Sequence, residues 1–222
     1  YVYSTTFPSR LDSINGKSIA YDNDGNRKNG LDYRISYNHF NKPNRITKGN
    51  TVIYNQYGPN GGKQLEITQH KKYKRTKYFI GGLLETTYED KGFLARNKLV
   101  HERVYIVING QKIVHLDFTK EKKKPISKKI RYNHFDLHGS LVMSTDEKGK
   151  IKASKNYDAW GLERSSSTWL HYEKPKVEEV QKKSPDRFPF SLGFQSHEMI
   201  ASIGLIDMGG RFYDPVLSQF LN

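Results

Sequence analysis

His134, Asp136 and His138 alternate along one short run, so an extended strand would turn all three to one face, where imidazole and carboxylate could approach a metal ion. A catalytic zinc site needs three well-oriented protein ligands and an open position. The competing reading is a turn-shaping Asp136 between half-exposed histidines. Glu85, Glu89 and Asp90 form the densest acidic group near the middle of the chain. A general acid and base must converge in a cleft, and solvated hairpin carboxylates are the default for such a group. Gly-x-Ser-x-Gly, His-Glu-x-x-His and phosphate-loop patterns do not occur, and the glycine pairs beginning at 61, 81 and 209 read as bulges and turns. The expectation is a chain with no catalytic role, no metal and no cofactor.

Two basic runs remain. Lys71, Lys72, Lys74, Arg75 and Lys77 surround Tyr73, and Lys122, Lys123, Lys124, Lys128, Lys129 and Arg131 form the second cluster. Cations interleaved with tyrosine suit a surface that tracks phosphates and stacks bases. Lysines on sheet edges and hairpin loops also block strand-to-strand aggregation, and this reading makes nucleic acid the less expected partner. A polyanion-binding module, for nucleic acid or an acidic glycan, is the alternative function. The formal charge of +14, from 37 Lys and Arg against 23 Asp and Glu, attracts polyanions or acidic surfaces without defining a fold.

The elements that position these residues read as strands. Hydrophobic residues make up only 35% of 222, yet there are 15 Tyr and 11 Phe, as in an antiparallel sheet with one wet face. The absence of cysteine excludes disulfide and Cys-metal frameworks and leaves the redox compartment undetermined. No apolar run approaches the roughly 20 residues of a membrane span, and no signal peptide opens the chain. A first residue of Tyr1 reads as a fragment or processed product.

Tyr21, Asp22 and Gly25 mark a hairpin after a strand candidate over 17–21. Segments 36–46 and 51–62 repeat the scheme of aromatic strand and Gly or Pro turn, with Tyr21, Tyr37 and Tyr57 at one-hairpin spacing. The clearest hairpin joins 103–108 to 111–116 through Asn109-Gly110, the strongest short-range hairpin signal. A further pair joins 140–145 to 151–157 through Asp146 to Gly149. Residues 165–190, rich in Ser, Thr, Pro and mixed charge, read as a surface insertion with one short helix over 177–183. Segment 188–194 returns the chain to sheet.

From about Asn38 to Asn222 an ordered series of blocks resembles the Rhs or YD-repeat family and the C component of Tc toxins. The blocks are Phe40-Asn-Lys-Pro43, Ile46-Thr-Lys-Gly-Asn50, Tyr57-Gly-Pro59, Tyr78-Phe-Ile-Gly-Gly82, and the run holding His134, Asp136 and Gly139. They continue through Tyr157, Asp158, Trp160 and Gly161, then Gly193 to Glu198, and close on Gly204 to Leu217 with Arg211, Tyr213, Asp214 and Pro215. The chain departs from the family's pattern in three places. Leu137 and His138 stand in exchanged order, Gln195 and Ser196 replace Thr and Gly, and Ser218-Gln219 replaces Gly-Arg.

The resemblance implies an all-β fold, a curved antiparallel sheet of consecutive hairpins with one irregular insertion. It divides into a sheet wall over 1–164, the insertion over 165–190 and a closing segment over 191–222. Tyr132, Tyr157, Trp160 and Tyr213 would pack the wall, Gly139, Gly161 and Gly210 would set its turns, and Pro215 would end a strand. The implied function is a non-catalytic part of a shell that encloses a C-terminal toxin. Its partners would be the rest of that shell, the toxin polypeptide, and a Tc B-type or secretion-system component. Such proteins are secreted or delivered by a secretion system, after residence in the bacterial cytoplasm. The family's self-cleaving plug follows the closing signature and cannot be carried onto any residue here.

Overall fold

The computed structural model describes residues 1–91, 99–121, 124–165, 168–170 and 191–221. Among them the chain is all-β, with one 3-10 turn at Phe194–Ser196 and no α-helix. The helix expected over 177–183, and most of the insertion around it, lies outside the described residues.

A small sheet comes first, from β1 (Val2–Tyr3), β2 (Leu11–Ile14) and β3 (Lys17–Ser18). Thirteen strands then form one antiparallel sheet in which every strand pairs with its sequence neighbour. They are β4 (Ala20–Tyr21), β5 (Arg27–Gly30), β6 (Tyr33–Tyr37), β7 (Pro43–Lys48), β8 (Thr51–Tyr57), β9 (Lys63–His70) and β10 (Tyr73–Ile80). The sheet continues with β11 (Leu84–Lys91), β12 (Leu99–Ile108), β13 (Gln111–Lys120), β14 (Ser127–Phe135), β15 (Leu141–Thr145) and β16 (Ile151–Ser154). The single strand read over 17–21 is two, because Lys17–Ser18 pairs back on β2 while Ala20–Tyr21 opens the large sheet. The strand read over 151–157 also ends early: β17 (Asn156–Tyr157) leaves to pair with β18 (Glu163–Arg164). The Asn109-Gly110 hairpin forms as expected, with both residues at positive φ (49° and 78°), as a two-residue turn requires.

The closing segment forms a four-stranded sheet of its own, from β19 (Glu198–Ile200), β20 (Leu205–Asp207), β21 (Phe212–Asp214) and β22 (Gln219–Phe220). It lies on one face of the large sheet, where Ile200, Ile203, Leu205, Phe212 and Leu221 pack with Tyr33, Ile35, Ile46 and Ile53. Each such aliphatic side chain contributes about 1.5–3 kcal/mol relative to an exposed one. The same segment reaches the far end of the sheet, where Leu141 N donates to Gly193 O at 3.0 Å. Residues 193–197 close on themselves through Gly193 N to His197 O (2.9 Å), and Glu198 next to them meets β9 and β10. On a flat sheet β10 and β15 would lie about 24 Å apart; one tight turn holds both because the sheet curls around it.

Candidate functional site

One turn recurs along the chain. An Asx or Gly at the first position exchanges backbone hydrogen bonds with the fourth and fifth residues at 22–26, 38–42, 58–62, 136–140, 146–150 and 158–162. In five of the six the first side chain also accepts from the backbone N–H two and four residues on. Asp22 Oδ1 takes Asp24 N (3.0 Å) and Asn26 N (2.8 Å), and Asp136 Oδ1 takes His138 N (2.9 Å) and Ser140 N (2.8 Å). The fourth residue has positive φ, as at Gly25, Gly139 and Gly161, which makes these three-residue hairpins with a bulge. The register slips by one residue beside the turn at Tyr21, Tyr37, Tyr57 and Phe135. A bulge bends its strand and increases the local twist, so a repeated bulge curls the sheet.

The tyrosines before these turns tie each strand to an earlier one. Tyr21 donates to Leu11 O (2.9 Å), Tyr37 to Arg27 O (2.8 Å), Tyr57 to Pro43 O (2.9 Å) and Tyr157 to Leu141 O (3.3 Å). Burial pushes the hydroxyls of Tyr37, Tyr57 and Tyr157 well above the usual tyrosine range, so they remain donors. Tyr213 is buried edge-on against Phe220, and the Arg211 guanidinium sits over the Phe220 ring at 3.7 Å from its centroid. Tyr132 and Trp160 differ from expectation: they are 41% and 58% exposed and do not pack the interior. The positive-φ glycine of the 209–210 pair is Gly209, not Gly210, because Gly209 N turns back to Asp207 Oδ1. Pro215 is buried directly after β21, and Gly204 has φ 74° after the bend from β19.

His134 stays on β14 with Nε2 3.1 Å from Thr145 Oγ1, while Asp136 and His138 belong to the turn. The three therefore do not share a strand face. No group of three or more metal-ligating His, Asp or Glu occurs among the described residues. A cavity of about 530 Å³ at the β5–β6 turn is lined by Ser18, Asn29, Asp32, Tyr33 and Arg34.

The densest chemistry lies beneath the closing segment. Glu198 places one carboxylate oxygen 2.8 Å from Lys63 Nζ and the other 2.6 Å from Lys77 Nζ. Lys63 also meets Glu66 (2.9 Å) and Asp207 (2.7 Å), and Lys77 meets Glu85 (2.9 Å), which accepts from the Tyr105 hydroxyl at 3.0 Å. Burial alone would raise the Glu198 carboxyl and lower both ammonium groups. Their mutual attraction outweighs it, holding Glu198 well below the carboxylate range and both lysines above theirs. Beside this seam Arg103 grips Asp117 at 2.6 and 3.1 Å, His101 Nε2 lies 3.1 Å from Asp117 Oδ1, and Arg75 pairs with Glu89 at 2.6 Å. Burial, aided by Arg103, pulls His101 down to about 4, so it is neutral near pH 7. Arg27 and Asp214 form a further buried pair. Paired in this way, the seam fastens the four-stranded sheet to the large one.

The two basic runs separate. Lys71 and Lys72 are exposed at the β9–β10 turn and Lys74 is exposed on the sheet, whereas Arg75 and Lys77 turn to the covered face and are ion-paired. Lys124, Lys128 and Lys129 are exposed and Arg131 is buried; Lys122 and Lys123 lie outside the described residues. Sequence alternation alone separates Lys74 from Arg75 and Lys77, but their carboxylate partners are up to 121 positions away and no local pattern announces them.

The covered face of β9–β14 is rich in ion pairs, and the opposite face carries aliphatic and aromatic side chains interrupted by Lys74, Asp90, Glu102, Lys120 and Lys128. Cross-strand rows on the open face run Ile80, Leu84, Val104, Leu116, Ile130; Leu65, Tyr78, Thr86, Glu102, Phe118, Lys128; and Ile106, Val114, Tyr132. Tyr78, Ile80, Val104, Ile106 and Tyr132 are each between 37% and 55% exposed.

No protein-family model matches the chain. It is 26% identical over 217 residues to the tRNA3(Ser)-specific nuclease WapA of Bacillus spizizenii, and equally to the tRNA nuclease WapA of Bacillus subtilis. These matches cover 96% of this chain and 8% of those proteins, so the chain spans under a tenth of the curated relatives it matches. A crystal structure of TcdB2-TccC3-Cdc42 superposes with a TM-score of 0.71 at 16% identity, over 91% of this chain and 9% of that one. The Photorhabdus luminescens Tc holotoxin pore gives 0.70 at 16%, over 98% and 10%. The chain thus shares the fold of these Tc toxin chains over its length: a large, open antiparallel sheet of consecutive hairpins.

Proposed function

We propose that this chain is a non-catalytic wall segment of a toxin-enclosing shell, its sheet curled so that the covered, concave face is turned to the interior. Residues 1–164 serve as wall, 165–190 as a surface insertion and 191–222 as the closing segment. The remainder of the shell and its enclosed toxin are its partners, with a Tc B-type or secretion-system component at delivery, and export from the bacterial cytoplasm follows. The observation that carries this reading is the curl: residues 193–198 meet β9, β10 and β15 at once, and buried ion pairs fasten the closing segment on the concave face. The convex face of β9–β14 carries exposed aliphatic and aromatic rows; a contiguous exposed apolar patch marks an interaction surface, here one for neighbouring parts of the shell. The likeness to Tc holotoxin chains supports the toxin setting.

The test is cryo-electron microscopy of the protein that carries this segment: density for a polypeptide enclosed on the concave side of these strands supports containment, and a sheet with no chain on that side contradicts it.

A further inference from the structure

Lys63, at the start of β9, stands where three carboxylates converge from two sheets. Its Nζ lies 2.7 Å from Asp207 Oδ2 at the end of β20, 2.8 Å from Glu198 Oε2 on β19 and 2.9 Å from Glu66 Oε2 on β9 itself. The Phe79 ring closes one side of the ammonium, its centroid 4.7 Å away. Only 8% of the Lys63 side chain and 7% of that of Asp207 reach solvent. Amine and carboxyl are thus held in contact where bulk water is excluded, which favours joining them and protects the product from hydrolysis.

The three carboxylates are not equivalent. Glu198 divides its oxygens between two ammonium groups, Oε2 to Lys63 and Oε1 to Lys77. Glu66 lies three residues from Lys63 on the same strand, and its other oxygen faces the Thr68 hydroxyl at 3.4 Å. Asp207 presents Oδ2 to Lys63 while its Oδ1 accepts from Gly209 N at 2.9 Å. A backbone donor on the oxygen turned away from the nucleophile is the working part of an oxyanion hole. Glu198 is the partner of Asp207 across the β19–β20 pair, so its carboxylate serves both reacting groups.

We propose that Lys63 and Asp207 join in an intramolecular isopeptide bond, formed by the folded protein itself, that ties the closing segment covalently to the large sheet. This goes beyond the containment reading and does not depend on it. The step balances within the ion pair. Glu198 carries one ammonium proton from Lys63 to Asp207 Oδ2, leaving a neutral amine beside a neutral carboxyl. Lys63 Nζ attacks Asp207 Cγ, and Gly209 N–H steadies the charge that develops on Oδ1. A second former ammonium proton passes through Glu198 to Oδ2, which leaves as water. One N–C bond forms, one C–O bond breaks, a cation and an anion disappear together, and nothing is oxidised or reduced. The surrounding carboxylates hold Lys63 as its ammonium, so the neutral amine is a minor form and the bond forms slowly, after folding. Linking positions so far apart in sequence also restricts the unfolded chain.

The test is electrospray mass spectrometry of the full chain, denatured after storage in the folded state. The expected mass is about 18 Da below that of the sequence, one water, with the peptide holding Lys63 joined to the peptide holding Asp207 in tandem spectra. Asp207→Asn should lose about 17 Da instead, because ammonia leaves. Lys63→Met and Asp207→Ala should keep their full mass, and Glu198→Gln should slow the loss at least about tenfold. The full sequence mass in the folded parent overturns the proposal. So does a loss that maps within a single peptide, as a succinimide at an Asp-Gly or Asn-Gly step would give, or one that survives in Asp207→Ala. The parent's own mass and crosslinked peptide decide the matter even where a variant fails to fold.

Discussion

Arg27 on β5 and Asp214 at the end of β21, 187 positions apart, are joined at 3.1 Å with only 4% and 3% of their side chains exposed. The Asp214 carboxylate also accepts from Val216 N at 3.1 Å, so one residue both shapes the last turn and fastens it to the sheet. Removing one partner of a buried pair leaves an uncompensated charge, which costs about 3–5 kcal/mol. Asp214→Ala should lose stability on that scale in urea titration. The double change Arg27→Met with Asp214→Leu should lose much less, because it removes both charges together.

Acid should loosen the molecule before any carboxylate of the seam titrates. His101 has a folded-state value of about 4 against 6.5 unfolded, and His115 is shifted down in the same direction, chiefly by burial. Between these values the unfolded chain binds more protons, so stability is complete above pH 6.5 and falls as pH drops toward 4. The His101 shift alone corresponds to roughly 3 kcal/mol. Glu198 and Asp117, whose values are depressed, add their loss only at lower pH, as pH falls through the carboxylate range and below. Urea midpoints at pH 7.5, 5.5 and 4.5 measure this, and His101→Gln should flatten the slope. An unchanged midpoint across that range would contradict the buried, neutral assignment.

Gly161 holds a φ of 85°, and a Cβ there would meet the Phe194 ring at 2.7 Å. Gly161→Ala should therefore cost more than the ~1 kcal/mol of an ordinary positive-φ replacement, with the excess coming from displacement of Phe194. Adding Phe194→Leu should recover part of it. Equal stabilities of Gly161→Ala and the parent would show that this turn does not seat the closing segment.

The two faces should respond oppositely to truncation. Ile53, fully buried under the closing segment, should lose about 2–5 kcal/mol on replacement by Ala. Ile106→Ala, 47% exposed on the open face, should stay within about 0.5 kcal/mol. Thermal melts of both variants check the assignment of core and open face.

Much of the sheet was legible because its turns are written locally. Asp-x-x-Gly after an aromatic residue specifies a three-residue hairpin by itself, and Asn109-Gly110 specifies a two-residue one. The seam was not legible, for two reasons. Lys77 sits in a lysine run that looks solvated, and its partner Glu198 is 121 positions away. The polarity of β9–β14 is also inverted relative to the usual rule, so Arg103, His115 and Asp117, which read as surface residues, are buried. Trp160 and Tyr132 mislead in the opposite sense: aromatic residues in a β-rich chain suggest packing, yet one crowns a turn and the other faces outward. Their neighbours in register, rather than their types, decide the face.

The most direct test of the account places a photocrosslinking residue at Lys129, exposed on the concave face opposite Asp117, and, separately, at Ile106 on the convex face, each in the protein with its enclosed polypeptide. The account predicts crosslinks to the enclosed chain from position 129 and sparse ones from 106. Crosslinks at equal yield from both positions, or none from 129, would contradict the claim that the curled sheet contains a chain.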